Sequence, residues 1–176
     1  MEDTLNLLEA KNLYKSFGNI NAVSDISISL NVGEVIGFLG PNGAGKSTTM
    51  KMLTGFLEAD SGSIEIKKID LSKDPINAKS IIGYLPEGAP SYSDMTVKSF
   101  LYFVGKMRGL KDELLEKRLE IMLKDINLSD VQNQIIETLS KGYKRRVGIA
   151  QALIHDPDIL ILDEPTDGLD PNQKLK

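Results

Sequence analysis

An α/β fold with a parallel core is what this sequence predicts, and three observations predict it. A glycine-rich run, GPNGAGKST at residues 40–48, lies between a short apolar stretch (VIGFL, residues 35–39) and a stretch without helix breakers. A second apolar run, ILIL at residues 159–162, ends in two adjacent carboxylates, Asp163 and Glu164. Between them, residues 94–139 carry a helical period, and the N-terminal part alternates apolar with polar residues. Short continuous apolar runs read as strands buried on both faces of a parallel sheet, whereas alternation reads as strands with one wet face. The expectation is a parallel core with an N-terminal antiparallel β subdomain and an α-helical insert.

Each element follows in chain order. Residues 5–30 read as strands: Ile26, Ile28 and Leu30 alternate with Ser27 and Ser29, the period of a half-buried antiparallel strand. Residues 31–34 (NVGE) are a turn into the expected strand over 35–39, and the loop after it opens a helix. Residues 59–62 (ADSG) read as a turn, followed by alternation over 63–66 that puts Ile64 and Ile66 on one face. IIGYL at 81–85 is a further apolar run, stopped by Pro86. Residues 94–107 predict a helix. So do Leu115, Leu119, Met122, Leu123 and Ile126, which share one helical face. The chain thus divides into residues 1–93 (antiparallel β and loop-bearing core), 94–139 (helical subdomain) and 140–176.

Composition bounds the function. The 176 residues suit about one domain, and 41% apolar residues can supply a core. With 25 acidic and 21 basic residues the net charge is −4, which argues against nucleic acid as a partner. No Cys is present, so disulfides and thiolate metal sites are excluded, and a single His excludes a His-rich metal site. The N-terminus lacks the charged and apolar segments of a signal peptide, and no run reaches the length of a membrane span. These signs predict a cytoplasmic protein.

The glycine-rich run fits G-x-x-x-x-G-K-[ST], with Gly40, Gly45, Lys46 and Ser47 at the fixed places. Backbone N–H groups can wrap a polyphosphate only where side chains are absent, which is the part of Gly43 and Gly45. The helix that follows turns its positive end toward the phosphates, Lys46 adds a point charge, and the Ser47 hydroxyl is placed to ligate Mg²⁺. Pro41, Asn42, Ala44 and Thr48 complete the cradle. At the second apolar run, the strand delivers Asp163 and Glu164 to the C-terminal edge of the sheet, where ligands bind in open α/β folds. Asp163 is then placed to hold Mg²⁺ through its water shell, and Glu164 to polarise an attacking water.

The order of phosphate loop, helical insert, LSKGY (residues 139–143) and ILILDEPTDGLD (residues 159–170) resembles the nucleotide-binding domain of an ABC-type ATPase, a phosphate-loop NTPase with a RecA-like core. The resemblance runs from about residue 7 to the end. The 23-residue spacing from Ser140 to Asp163 is shared by the family. It implies that Phe17, 29 residues before Lys46, is the aromatic that stacks on adenine, with Tyr14 as the alternative. It implies that Glu87 contacts Mg²⁺ where the family usually has Gln. Ser140 and Gly142 would cap the γ-phosphate of a nucleotide held by a second subunit, and residues 167–170 would cross the dimer interface. Physically, LSKG places a hydroxyl and backbone N–H groups at a helix start, again an anion site. Glu87 and Tyr143 both depart from the common pattern and resemble the exporter branch of drug, lipid and gliding-type transporters.

The resemblance thus implies an ATP-hydrolysing subunit that uses ATP and Mg²⁺, with Glu164 as the base. It would pair with a second ATP-binding subunit and with separate transmembrane permease subunits, on the cytoplasmic face of the membrane. A soluble ABC-type ATPase without a transporter, or a non-catalytic fragment, are the alternatives. The family also carries a His on a further strand beyond the Glu, whereas this chain ends 12 residues past Glu164 and its one His, His155, precedes the acidic strand. The expectation is a C-terminally incomplete domain with strands missing and weak hydrolysis.

Overall fold

Two 12-residue strands open the fold, β1 (Asn6–Phe17) and β2 (Ile20–Asn31), antiparallel and joined by a two-residue turn at Gly18 and Asn19. The structure, a computed structural model, describes residues 6–88 and 92–164. Its contacts divide the chain into two units, Met1–Ile82 and Gly83–Lys176.

In the first unit β1 also pairs antiparallel with β3 (Ser61–Ile66), which pairs with the short β4 (Ile69–Asp70), giving the order β2-β1-β3-β4. The register sets Leu8 opposite Ile66 and Ala10 opposite Ile64, all four buried, so the face expected from Ile64 and Ile66 is the core face of the sheet. A bulge interrupts β1, where Asn12 takes φ 48° and donates from its backbone to Ser27 Oγ at 2.9 Å. The expected turn at 59–62 is shorter than foreseen, because Ser61 and Gly62 already belong to β3. The turn at 31–34 forms, with Glu34 N bonded to Asn31 O at 3.1 Å.

Helix α1 (Lys46–Leu53) starts directly from the glycine-rich loop and buries Thr49, Met52 and Leu53. A short helix that the apolar period did not signal, α2 (Pro75–Ser80), follows β4. Asp74 caps it, accepting from Asn77 N at 3.3 Å, and Pro75 fills its first turn, where the missing N–H costs nothing.

The strand expected over residues 35–39 does not form. This run pairs with no strand and makes no backbone hydrogen bond among the described residues, and Val35 and Leu39 are 94% and 95% exposed. A parallel strand is held by ladders from its neighbours; an apolar sequence cannot order itself without them.

A two-stranded parallel sheet is formed by β5 (Ile82–Leu85), which lies in the second unit from Gly83 on, and β6 (Ile159–Leu162), with the helices between them in sequence. Helix α3 (Val97–Met107) begins at Thr96, whose hydroxyl accepts from Ser99 N at 3.2 Å. Helix α4 (Asp112–Asp125) turns Leu115, Leu119, Met122 and Leu123 inward, as their spacing requires. With Phe100, Leu101, Val147 and Ile154 they form one core, each fully buried side chain contributing about 1.5–3 kcal/mol. Helix α5 (Lys141–Leu153) packs so closely on β5 that a Cβ at Gly83 would lie 2.2 Å from Ala152 O. Among the described residues no helix is long and apolar enough to cross a membrane.

Candidate functional site

The candidate residues fall in both units, and each group has its own geometry. In the first unit, Gly40, Pro41, Asn42, Gly43 and Ala44 are exposed, and Gly45, Lys46, Ser47 and Thr48 are half-buried. Ala44 N bonds Pro41 O at 3.3 Å, closing the loop on itself. Gly45 caps α1 with φ 83°, and a Cβ there would meet Ala22 O at 2.3 Å, so only glycine fits. A glycine cap has no side-chain oxygen, so the first N–H groups of α1 keep their capacity for an anion. Lys46 Nζ donates to Gly40 O and Pro41 O, each at 2.8 Å. Its ammonium therefore arches over the loop, and two of its three protons are used there. Sequence reasoning missed Thr49, buried one turn on, whose hydroxyl donates to Gly45 O at 2.9 Å and ties the helix to the loop.

Phe17 closes β1 at the hairpin tip, half exposed, opposite Ile20. The Lys15 ammonium lies 5.7 Å from its ring centroid. Asp60 holds that lysine at 2.7 Å through Oδ1 and accepts Ser16 N through Oδ2, also at 2.7 Å. Those bonds, Lys15 first and Ser16 second, hold the Asp60 carboxyl below its ordinary value. A planar ring with a fixed cation beside it is a platform for a flat aromatic ligand. Tyr14, three residues earlier, is 40% exposed, and its carbonyl accepts from Asp60 N.

In the second unit, β6 ends in Asp163, which is 3% exposed, and its amide donates to Leu85 O at 2.8 Å. Its Oδ2 is buried with no hydrogen-bond partner among the described residues. A buried carboxylate oxygen without a donor is costly unless a cation or ordered water satisfies it, so Asp163 fits a role in holding Mg²⁺. The Tyr84 hydroxyl is likewise buried without a partner among the described residues, and burial, then the Asp163 charge, raises its pKa. Glu164 is exposed and takes φ 49°, a left-handed backbone that is unusual for glutamate. Glu87 is exposed in the turn after β5. No cluster of three or more acidic or His side chains suited to a metal occurs among the described residues.

Ser140 is the N-cap of α5, its hydroxyl accepting from Tyr143 N at 3.3 Å, with Gly142 in the first turn. The Arg146 guanidinium carbon lies 5.5 Å from the Tyr143 ring centroid. Sequence reasoning missed Arg145, which is buried and donates to the carbonyls of Pro86, Asp163 and Glu164. Nothing in the sequence set it apart from the lysines and arginine beside it. His155 follows α5 at the end of β6 remote from Asp163, consistent with a helix-end role. The segment 167–170 lies outside the described residues.

Fold and loop geometry define a phosphate-loop nucleotide-binding domain. The chain belongs to the ABC transporter family, whose profile matches residues 23–167. It is 42% identical over 168 residues to the linearmycin resistance ATP-binding protein LnrL of Bacillus subtilis (strain 168), covering 96% of this chain and 54% of that protein. It is 39% identical over 167 residues to the lipopolysaccharide export system ATP-binding protein LptB of Escherichia coli (strain K12), covering 93% and 69%. A solved ATP-binding subunit of an ABC transporter superposes with a TM-score of 0.87 at 32% identity, covering 96% of this chain and 70% of that one. The ADP conformation of an ABC transporter cassette superposes at 0.79 and 29% identity, covering 98% and 74%. The chain spans about half the length of the first curated relatives it matches.

Proposed function

We propose that this chain is the ATP-binding and ATP-hydrolysing part of an ABC exporter, acting as a nucleotide-sandwich dimer with separate membrane subunits. The observation that carries the reading is the glycine-capped start of α1 with Lys46 folded over Gly40 and Pro41. That arrangement offers backbone N–H groups and an ammonium to a polyphosphate and to little else.

In this reading Phe17 stacks on adenine, and residues 40–48 hold the phosphates. The Ser47 hydroxyl, Asp163 and Glu87 are the groups that would hold Mg²⁺, which neutralises charge on the phosphate oxygens. Glu164 accepts the proton of a water whose oxygen bonds to the γ-phosphorus, while the bond to the ADP oxygen breaks and phosphate leaves. Ser140 and Gly142 meet the γ-phosphate bound by the second subunit, so closure depends on ATP and hydrolysis reopens the pair. Segments 1–93, 94–139 and 140–176 serve as parts of one ATP-binding domain.

Support for export comes from the names of relatives concerned with linearmycin resistance and lipopolysaccharide export, and from Glu87 and Tyr143. A site on the cytoplasmic face of the membrane follows from that reading. The test is thermal unfolding with and without Mg·ATP, in wild type and Lys46→Ala, with affinity purification from membranes. Ligand at a hundredfold excess over Kd stabilises by about 2.7 kcal/mol. A shift in wild type that Lys46→Ala abolishes, with a co-purifying integral membrane protein, supports the reading. A shift without any membrane partner favours a soluble ABC-type ATPase, and no shift removes the nucleotide reading.

A further inference from the structure

We infer that Arg145 is a positioning residue that holds the left-handed turn from which Glu164 projects and ties it to the segment bearing Glu87. The inference rests on the proposed role of Glu164. Arg145 stands on α5, five residues after the cap Ser140, and is 7% exposed. One guanidinium nitrogen donates to Pro86 O at 3.1 Å, and the other reaches the carbonyls of both Asp163 and Glu164. The side chain therefore bonds the backbone at the ends of β5 and β6.

Chemistry explains why an arginine stands here. Glu164 has φ 49°, where a Cβ crowds the backbone. Such a conformation persists only where neighbours over-determine it. One arm of the planar, always-charged fork, Nη2, bonds the consecutive carbonyls 163 and 164 while the other, Nη1, bonds Pro86 O, so the fork spans the ends of both strands and sets the direction of the Glu164 side chain. A lysine has no fork and can serve these carbonyls only as a point charge. Because Ser140 caps α5, the same side chain links the LSKGY segment to the acidic end of β6 within this unit.

The test compares wild type, Arg145→Lys, Arg145→Met and Glu164→Gln in the full chain. Amide hydrogen exchange reads the geometry without needing turnover. The Asp163 amide, bonded to Leu85 O, should exchange about tenfold faster in Arg145→Met, with α3 and α4 amides unchanged. Turnover should fall by about tenfold or more, with Mg·ATP affinity held within about threefold, and Arg145→Lys should lie between. An Asp163 amide that exchanges as in wild type in folded Arg145→Met, or a rise shared by all helices, overturns the inference. So does wild-type turnover in folded Arg145→Met when Glu164→Gln is inactive. Full turnover in Glu164→Gln would instead sink the functional reading, and the exchange result would still decide whether Arg145 holds the turn.

Discussion

The Arg118 guanidinium of α4 lies 3.0 Å from the Asp156 carboxylate while donating to the last carbonyl of α5, Leu153, at 2.9 Å and to that of its C-cap, Ile154, at 3.2 Å. Two helices are thereby joined at the point where the chain leaves α5 for β6. A cation at a helix C-terminus satisfies carbonyls that have no partner within the helix and complements the dipole. Arg118→Met should cost about 1–3 kcal/mol in urea unfolding, because part-buried acceptors lose their donors. Asp156 is 81% exposed, so Asp156→Asn should cost under about 1 kcal/mol. Equal costs for the two would show that the ion pair, rather than the carbonyl capping, does the stabilising.

Two loop glycines separate strain from collision. Gly43 and Gly45 have φ 84° and 83°, yet a Cβ at Gly43 meets nothing within 4 Å, while one at Gly45 lies 2.3 Å from Ala22 O. Gly43→Ala should cost about 1–2 kcal/mol from backbone conformation alone. Gly45→Ala must also displace β2 or the start of α1, so it should lose the Mg·ATP-induced rise in Tm outright. Indistinguishable Tm values and Kd values for the two would count against the close approach.

Acid should act on the Phe17 platform through Asp60. Lys15 and Ser16 hold the folded pKa of this carboxyl below 3.8, so its stabilisation is present above 3.8 and is lost as pH falls through the lower folded value. Asp60→Asn should therefore be less stable than wild type at pH 7, with the gap narrowing as pH falls below 3.8 in paired urea titrations. Nucleotide affinity should fall with it at neutral pH, because Lys15 loses its anchor beside the ring. A gap that widens on acidification would contradict the assigned sign.

Asp163 sets stability against its proposed role at Mg²⁺. Its buried, unpartnered carboxylate oxygen burdens the fold without a cation. Asp163→Asn should raise Tm by about 2–4 °C without nucleotide, equivalent to roughly 1 kcal/mol in a chain of this size. The part of the ATP-induced shift that depends on Mg²⁺ should disappear. A lower Tm in the variant would mean that the carboxylate is satisfied by the protein itself.

Local chemistry made much of this molecule legible. The loop glycines, the Ser140 cap and the inward stripe from Leu115 to Leu123 each follow from rules that act within a few residues, and the shared buried face of Ile64 and Ile66 follows from their alternation, whereas their partners Ala10 and Leu8 do not. Residues 35–39 defeated the same reasoning, since a run of apolar residues signals burial but cannot supply the neighbouring ladder. Helix α2 was missed because its six residues owe their helix to Asp74 and Pro75 rather than to a stripe. Arg145 was invisible for a third reason. Its importance lies in carbonyls 18, 19 and 59 residues away, and carbonyls carry no residue identity.

The open run at 35–39 has a consequence for handling the protein. VIGFL has no charge and no proline, and its amides and carbonyls have no ladder partner among the described residues. Such a segment is a template for cross-chain β pairing. Solutions of this chain should therefore grow larger particles as they are concentrated, in proportion to how often two such runs meet. The segment that leads into the phosphate cradle is also where its colloidal behaviour is decided.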